Sequence, residues 1–268
     1  MGFRGFELGV SRAPFRLKNA LALADKHSTR FCSLHNICSE NRIDPENLRG
    51  HWLSSFDEEK RRIAVDSTLE SARLGKELGV SAVVLHLGPV IELQGRSLQR
   101  KLFAAASSGN AAFADKLLKQ RAELAPRVQE SACRSLSEIC DKIDDVALCI
   151  ENPYFFYEIP RPDELSAIFD RVDAANLFHW HDFGHAHVLH LLGVADRTEW
   201  FERFQQRIYG AHIHDASGLC DHKPPGYGEI DLRSLLSRLP ERALRVIEVS
   251  GEFSADDVRS GLRLLQKL

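Results

Sequence analysis

Short apolar runs alternate along the chain with longer stretches in which apolar residues return every three or four positions. The runs suit buried strands and the longer stretches suit amphipathic helices, and this alternation is what βα units feeding a parallel sheet require. Strands are expected near Gly5–Val10, Arg30–Asn36, Ala82–Leu87, Val146–Glu151, Leu177–Asp182, Ile208–His214 and Leu244–Val249. Among the helices, Asp57–Leu78 would turn Val65, Leu69 and Ala72 toward the sheet. Asp231 would open a helix burying Leu232, Leu235, Leu236 and Leu239. Ser254, with Asp257 three positions on, would cap a last helix striped by Val258, Leu262 and Leu265.

The stretch from Pro89 to about Asn110 breaks this rhythm. It is too long for a tight βα connection and carries Arg96, Arg100 and Lys101 ahead of a Ser-Ser-Gly-Asn break. A lid over a barrel mouth and a solvated surface insertion both fit it. No repeat, low-complexity tract or linker divides the chain, and its 268 residues match the usual size of one β/α barrel. A single domain over residues 1–268 is therefore expected.

Composition changes the picture only by exclusion. With 44% hydrophobic and 27% charged residues the chain has ample material for a core. A formal charge of -3 gives no general attraction to polyanions, and no apolar run approaches the roughly 20 residues that span a bilayer. Cys32, Cys38, Cys133, Cys140, Cys149 and Cys220 are scattered without a CxxC pair, which suits reduced thiols in a cytoplasmic protein.

The chemistry lies at the C-terminal ends of the apolar runs. His35, His86, Glu151 and Glu248 each end one; Asp182 with His185 follows another, and His212 and His214 lie at the end of a sixth. In a parallel barrel all those ends open on one face, where active sites are built. A lone histidine at a strand end is more often structural, but six strands ending this way are hard to assign to chance. Several carboxylates brought together out of water need a cation to offset their repulsion and desolvation. Imidazole mixed with carboxylate suits zinc, manganese, iron or cobalt better than calcium. Zinc or manganese leads, with magnesium retained as a further candidate.

Several strings resemble the xylose isomerase-like TIM barrel superfamily, which contains sugar and sugar-phosphate isomerases and epimerases together with endonuclease IV-like enzymes. They are Gly2-Phe3-Arg4-Gly5-Phe6-Glu7-Leu8, His86-Leu87-Gly88, Ile150-Glu151-Asn152, Asp182-Phe183-Gly184-His185, His212-Ile213-His214-Asp215, and the stretch from His222 to Asp231, in the family's order. The resemblance implies an α/β, TIM-type parallel β/α barrel. The segment resembling the family's second strand stands at the front of this chain, so seven recognisable strands are expected, with the family's first βα unit missing.

The resemblance further implies that Glu151, Asp182, His212 and Glu248 ligate a divalent metal, with Glu151 and Glu248 as paired proton-transfer groups and His185 as a further catalytic candidate. In the endonuclease branch additional ligands gather two or three zinc ions, and the matching residues here are His35, His86, His185 and His222. That branch has an aspartate two positions before the histidine matching His222. This chain has Cys220 there with Asp221 next to it, and Asp221 is the favoured substitute ligand. His179, His181, His187 and His190 read as structural, His214 as a support for the ligands, and Glu7 as either a strand-end acid or a salt-bridge partner. The leading expectation is a metal-dependent isomerase or epimerase of a small carbohydrate, homo-oligomeric if the barrel seam needs covering. The alternative is a multinuclear zinc phosphodiesterase or endonuclease, under which alone nucleic acid is a partner.

Overall fold

A computed structural model describes residues 2–9, 17–36, 52–91, 96–108 and 111–268. Among them, seven strands lie in one sheet in chain order: β1 (Gly5–Leu8), β2 (Arg30–His35), β3 (Ala82–Leu85), β4 (Ala147–Glu151), β5 (Leu177–Asp182), β6 (Ile208–Ile213) and β7 (Leu244–Ile247). The pairs β1–β2, β2–β3, β3–β4, β5–β6 and β6–β7 are parallel. Helices alternate with them, so the fold is the α/β, TIM-type class expected, with seven strands in the main sheet among the described residues. Several strands end a residue or two short of the sequence reading, and two of these ends bear on the site. Strands β3 and β7 stop one residue before His86 and Glu248, which therefore stand in the first position beyond the ladder.

The chain forms two compact units. The first holds residues 1–88, 127–151 and 167–178. Its strands β3 and β4 are almost wholly apolar and fully buried at Val83, Val84, Leu85, Leu148 and Ile150, as expected of strands covered on both faces, and β2 buries Leu34. The helix Glu58–Leu78 buries Val65, Leu69 and Ala72 as its periodicity predicts, starts on the Asp57 side chain and stops at Gly79 in the left-handed conformation.

The second unit holds residues 89–126, 152–166 and 179–268. The stretch with Arg96, Arg100 and Lys101 is a helix, Arg96–Ser108; residues 92–95 and 109–110 lie outside the described set. Its Gln99 is buried and clamps the backbone, donating to the Tyr154 carbonyl at 3.0 Å and accepting from the Phe156 amide at 3.0 Å. The Asp231-capped helix Leu232–Leu236 buries Leu232 and Leu235. The last helix, Ala255–Leu265, has the predicted Ser254–Asp257 capping box, although Val258, Leu262 and Leu265 are half-buried instead of buried. Of the cysteines, Cys32, Cys133, Cys140, Cys149 and Cys220 are free, and Cys38 lies outside the described residues. No helix among the described residues is long and apolar enough to cross a membrane.

One close approach fixes the level of β6 against β5. Gly210 pairs with Trp180, and a Cβ at position 210 would sit 2.3 Å from the fully buried indole. The same indole meets the His212 imidazole edge-on, with ring centroids 5.2 Å apart. Gly210→Ala should therefore overpack this level and destabilise the protein by about 1–3 kcal/mol. Urea unfolding checks this, and an unchanged midpoint would show that β6 can yield.

Candidate metal centre

Asp182 is both the last residue of β5 and the N-cap of the helix Phe183–Leu191, so strand passes to helix with no loop between. Its fully buried carboxylate accepts from the His185 amide at 2.7 Å and lies 3.0 Å, through both oxygens, from His214 Nε2. His212, opposite Asp182 in the sheet register, reaches it at 3.6 Å through Nδ1, and the same nitrogen lies 3.1 Å from Glu248 Oε2. Burial is the largest influence on Asp182 and pushes its carboxyl upward. The surrounding imidazoles of His185, His214 and His212 outweigh it, holding Asp182 well below the usual carboxylate range.

The β-hairpin Asp215–Ser217/Cys220–Lys223 follows β6 and carries the next residues. Asp221 Oδ2 lies 3.1 Å from His222 Nδ1 and 3.7 Å from His185 Nε2, whereas Cys220 is exposed. The carboxylate one position along from the family's aspartate is thus the one directed at the two histidines. His222 Nε2 also reaches Glu248 at 3.4 Å. Donor atoms of Asp182, His185, His214 and His222 come within 4.8 Å of one another, as do those of Asp182, His212 and Glu248.

In the first unit, His35, His86 and Glu151 form a third such group. Glu151 Oε2 lies 3.0 Å from His86 Nε2 and 3.4 Å from His35 Nε2, with Glu151 buried and His86 partly open. His35 Nδ1 faces the Asn36 carbonyl at 3.0 Å, and His185 Nδ1 faces the Asn152 carbonyl at 3.0 Å. A carbonyl can only accept, so both rings carry their proton on Nδ1 and turn the Nε2 lone pair toward carboxylates. That is the wiring of metal-binding histidines, whose second nitrogen donates to an anchoring acceptor. The donor set fits a divalent transition metal.

Other predicted residues fall elsewhere. His179 and His181 pack against Trp200, Phe201 and Phe204; His187 pairs with Glu229 at 3.1 Å and His190 with Asp196 at 3.4 Å. Glu7 accepts from the Ser33 hydroxyl at 2.6 Å. Sequence reasoning missed Asn152, which brackets the Asp182 backbone by donating to its carbonyl at 2.9 Å and accepting from its amide at 2.8 Å. It also missed Tyr154, whose hydroxyl donates to the Leu219 carbonyl at 2.6 Å while its ring meets His185 edge-on. The position of Asn152 directly after Glu151 was the available signal.

A family model for the xylose isomerase-like TIM barrel matches residues 1–268. The chain belongs to that family. Comparison with curated proteins gives no match. Among solved structures, a D-tagatose 3-epimerase-like protein is similar at 19% identity and a TM-score of 0.71, covering 100% of this chain and 88% of its own. A 3-keto-D-glucoside 4-epimerase from E. coli is similar at 14% identity and TM-score 0.66, covering 100% and 90%. The IOLI protein, crystallised with a binding zinc atom, is similar at 15% identity and TM-score 0.62, covering 99% and 88%. At these identities the likeness concerns the fold.

The His222 ring gives a pH prediction. Burial disfavours its charge, but contacts with Asp221 and Glu248 outweigh that and raise its pKa from 6.5 to about 11. Because the folded value lies above the ordinary one, the charged ring stabilises the metal-free protein fully below pH 6.5, and this is lost as pH rises through about 11. A cation taking a His222 nitrogen must displace that proton. Zinc uptake at pH 7 should therefore release protons and tighten with rising pH. Calorimetry in buffers of differing protonation enthalpy checks this, and a buffer-independent heat would refute it.

Proposed function

We propose that this chain is a metal-dependent isomerase or epimerase of a small carbohydrate, with Asp182, His212, Glu248 and Glu151 around one divalent cation. The observation that carries this reading is the convergence of Asp182, His212 and Glu248 within 4.8 Å. Asp182 and His212 are fully buried, whereas the Glu248 side chain keeps 32% exposure, so of these three it is the group a substrate can reach. Glu151 is the fourth member by family resemblance. Its chain neighbour Asn152 clasps the Asp182 backbone, which supports its inclusion. The similar structures described as sugar epimerases, and the one with zinc, favour the same reading.

A bound cation would polarise adjacent substrate oxygens and so acidify the C–H bond between them. Glu248 would take or return that proton on one side, and Glu151 would do the converse on the other. His35 and His86 are the imidazoles beside Glu151 Oε2, at 3.4 and 3.0 Å, and border that carboxylate on the site. His185 is placed to donate to or accept from a substrate oxygen through Nε2, its Nδ1 being committed to the Asn152 carbonyl.

A second reading, a multinuclear zinc phosphodiesterase of the endonuclease IV type, is favoured by one observation. The His35–His86–Glu151 group and Asp182, His185, His222 and Asp221 supply more donors than the four to six that one transition metal ion takes. Metal content per chain, deuterium uptake from heavy water into candidate ketoses, and hydrolysis of bis(p-nitrophenyl) phosphate separate the two. The isomerase reading expects carbon-bound deuterium and no diester cleavage; diester cleavage with two or three zinc ions and no deuterium uptake would replace it with the second.

Glu151→Ala and Glu248→Ala should each release the metal and reduce turnover at least about 10³-fold, a barrier increase of about 4 kcal/mol, with circular dichroism retained. Stoichiometric metal in both variants would sink the ligand assignment.

A further inference from the structure

His214 is wired in the opposite sense from His35 and His185. Its Nδ1 receives the His222 amide N–H at 2.9 Å, while the Asp215 carbonyl, which could only accept from that nitrogen, is farther at 3.3 Å. The shorter and stronger contact requires a lone pair on Nδ1. The proton of the neutral ring is then on Nε2, equidistant at 3.0 Å from the two oxygens of Asp182. A nitrogen that points a proton at a carboxylate has no lone pair left for a cation. His214 therefore serves Asp182 and does not ligate beside it.

Three further features fix the ring. Position 184 is glycine, and a Cβ there would fall 2.0 Å from His214 Cε1 and 2.6 Å from Nδ1, so the ring is packed directly against the first turn of the helix that Asp182 caps. The His222 ring stacks on it at 4.4 Å with an interplanar angle of 11°. His222 itself adopts φ 55°, a left-handed conformation uncommon for a residue with a side chain, in the same residue whose N–H meets Nδ1. Such backbone strain persists where the surroundings over-determine it, and it clusters at functional sites.

We propose that His214 is a positioning residue. Its Nε2–H orients both Asp182 oxygens, and it is locked in that tautomer by the His222 backbone amide and by the missing side chain at Gly184. One ring thereby sets the Asp182 carboxylate and the hairpin that carries Asp221 and His222 together. The effect on a cation rests on the metal-dependent reading above; the tautomer does not.

Long-range ¹⁵N NMR of the wild-type protein, with and without zinc, should show His214 neutral and protonated on Nε2. A proton on Nδ1, or a doubly protonated ring, would overturn the proposal. Zinc affinity, measured by chelator competition, should fall about 10–100-fold in His214→Phe, the usual range for losing a residue that supports a ligand. The number of zinc ions per chain should stay as in the wild type. His214→Gln, whose amide can still donate to Asp182, should recover most of the loss, and Gly184→Ala, which displaces the ring while keeping the imidazole, should reproduce it. Loss of a whole zinc from His214→Phe, or unchanged affinity in both His214→Phe and Gly184→Ala, would refute the role. If the wild type takes up no zinc or manganese, the metal-dependent reading fails, and the NMR tautomer alone still upholds or overturns the wiring of His214.

Discussion

A carboxylate with no exposure to water, Asp182, is the constraint around which the second unit is arranged. Removing such a charge from solvent costs several kcal/mol unless donors and opposite charges surround it. The neighbours of Asp182 answer to that need. The first turn of a helix offers an amide and the positive end of its dipole, Asn152 holds the backbone from both sides, and His185, His212 and His214 supply the remaining field. The same neighbours that compensate the charge are those through which a cation would be held, so stability and chemistry draw on one set of contacts.

The histidines divide by wiring, and residue type alone does not reveal the division. Where Nδ1 donates to a main-chain carbonyl, as in His35 and His185, the ring aims a lone pair into the site. Where a backbone amide meets Nδ1, as in His214, the ring aims a proton instead. Imidazoles two positions apart in one strand, His179 and His181, do neither. They lie among Trp200, Phe201 and Phe204 on the opposite face from Trp180 and Asp182, where alternation along a strand puts them.

Strand positions were legible in the sequence because strands buried on both faces must be largely continuous apolar runs, and the carboxylates and most of the site histidines gather where those runs end. That rule located His35, Glu151, Asp182 and His212, and missed by one residue where the last hydrogen bond of a strand was not encoded by hydropathy, at His86 and Glu248. Helix Arg96–Ser108 was not legible, because what holds it is the pair of hydrogen bonds from Gln99 to the backbone around Tyr154 and Phe156, more than fifty residues away. The role of Asn152, and the placing of the proton on His214, escaped for a related reason. Both depend on which atom meets which, and side-chain periodicity carries no such information. The choice between Cys220 and Asp221 likewise needed the hairpin's register, which is irregular between Cys220 and Lys223.

The loop after the hairpin has its own anchor. Asp215, nearly fully buried, accepts from the amides of Ala216, Gly226 and Ile230 at 2.9, 3.0 and 3.0 Å, and Gly228 lies so close that a Cβ would meet Asp215 Oδ1 at 2.3 Å. Amide protons held by a buried carboxylate exchange with solvent only when the surrounding structure opens. Gly226 and Ile230 lie outside any helix or strand, yet they are tied to the same interior as the strands. In evolutionary terms this makes the span from Asp215 to Ile230 a fixed length of chain: residues can change along its exposed edge, but an insertion between the anchored amides would have to bulge outward or break the anchor.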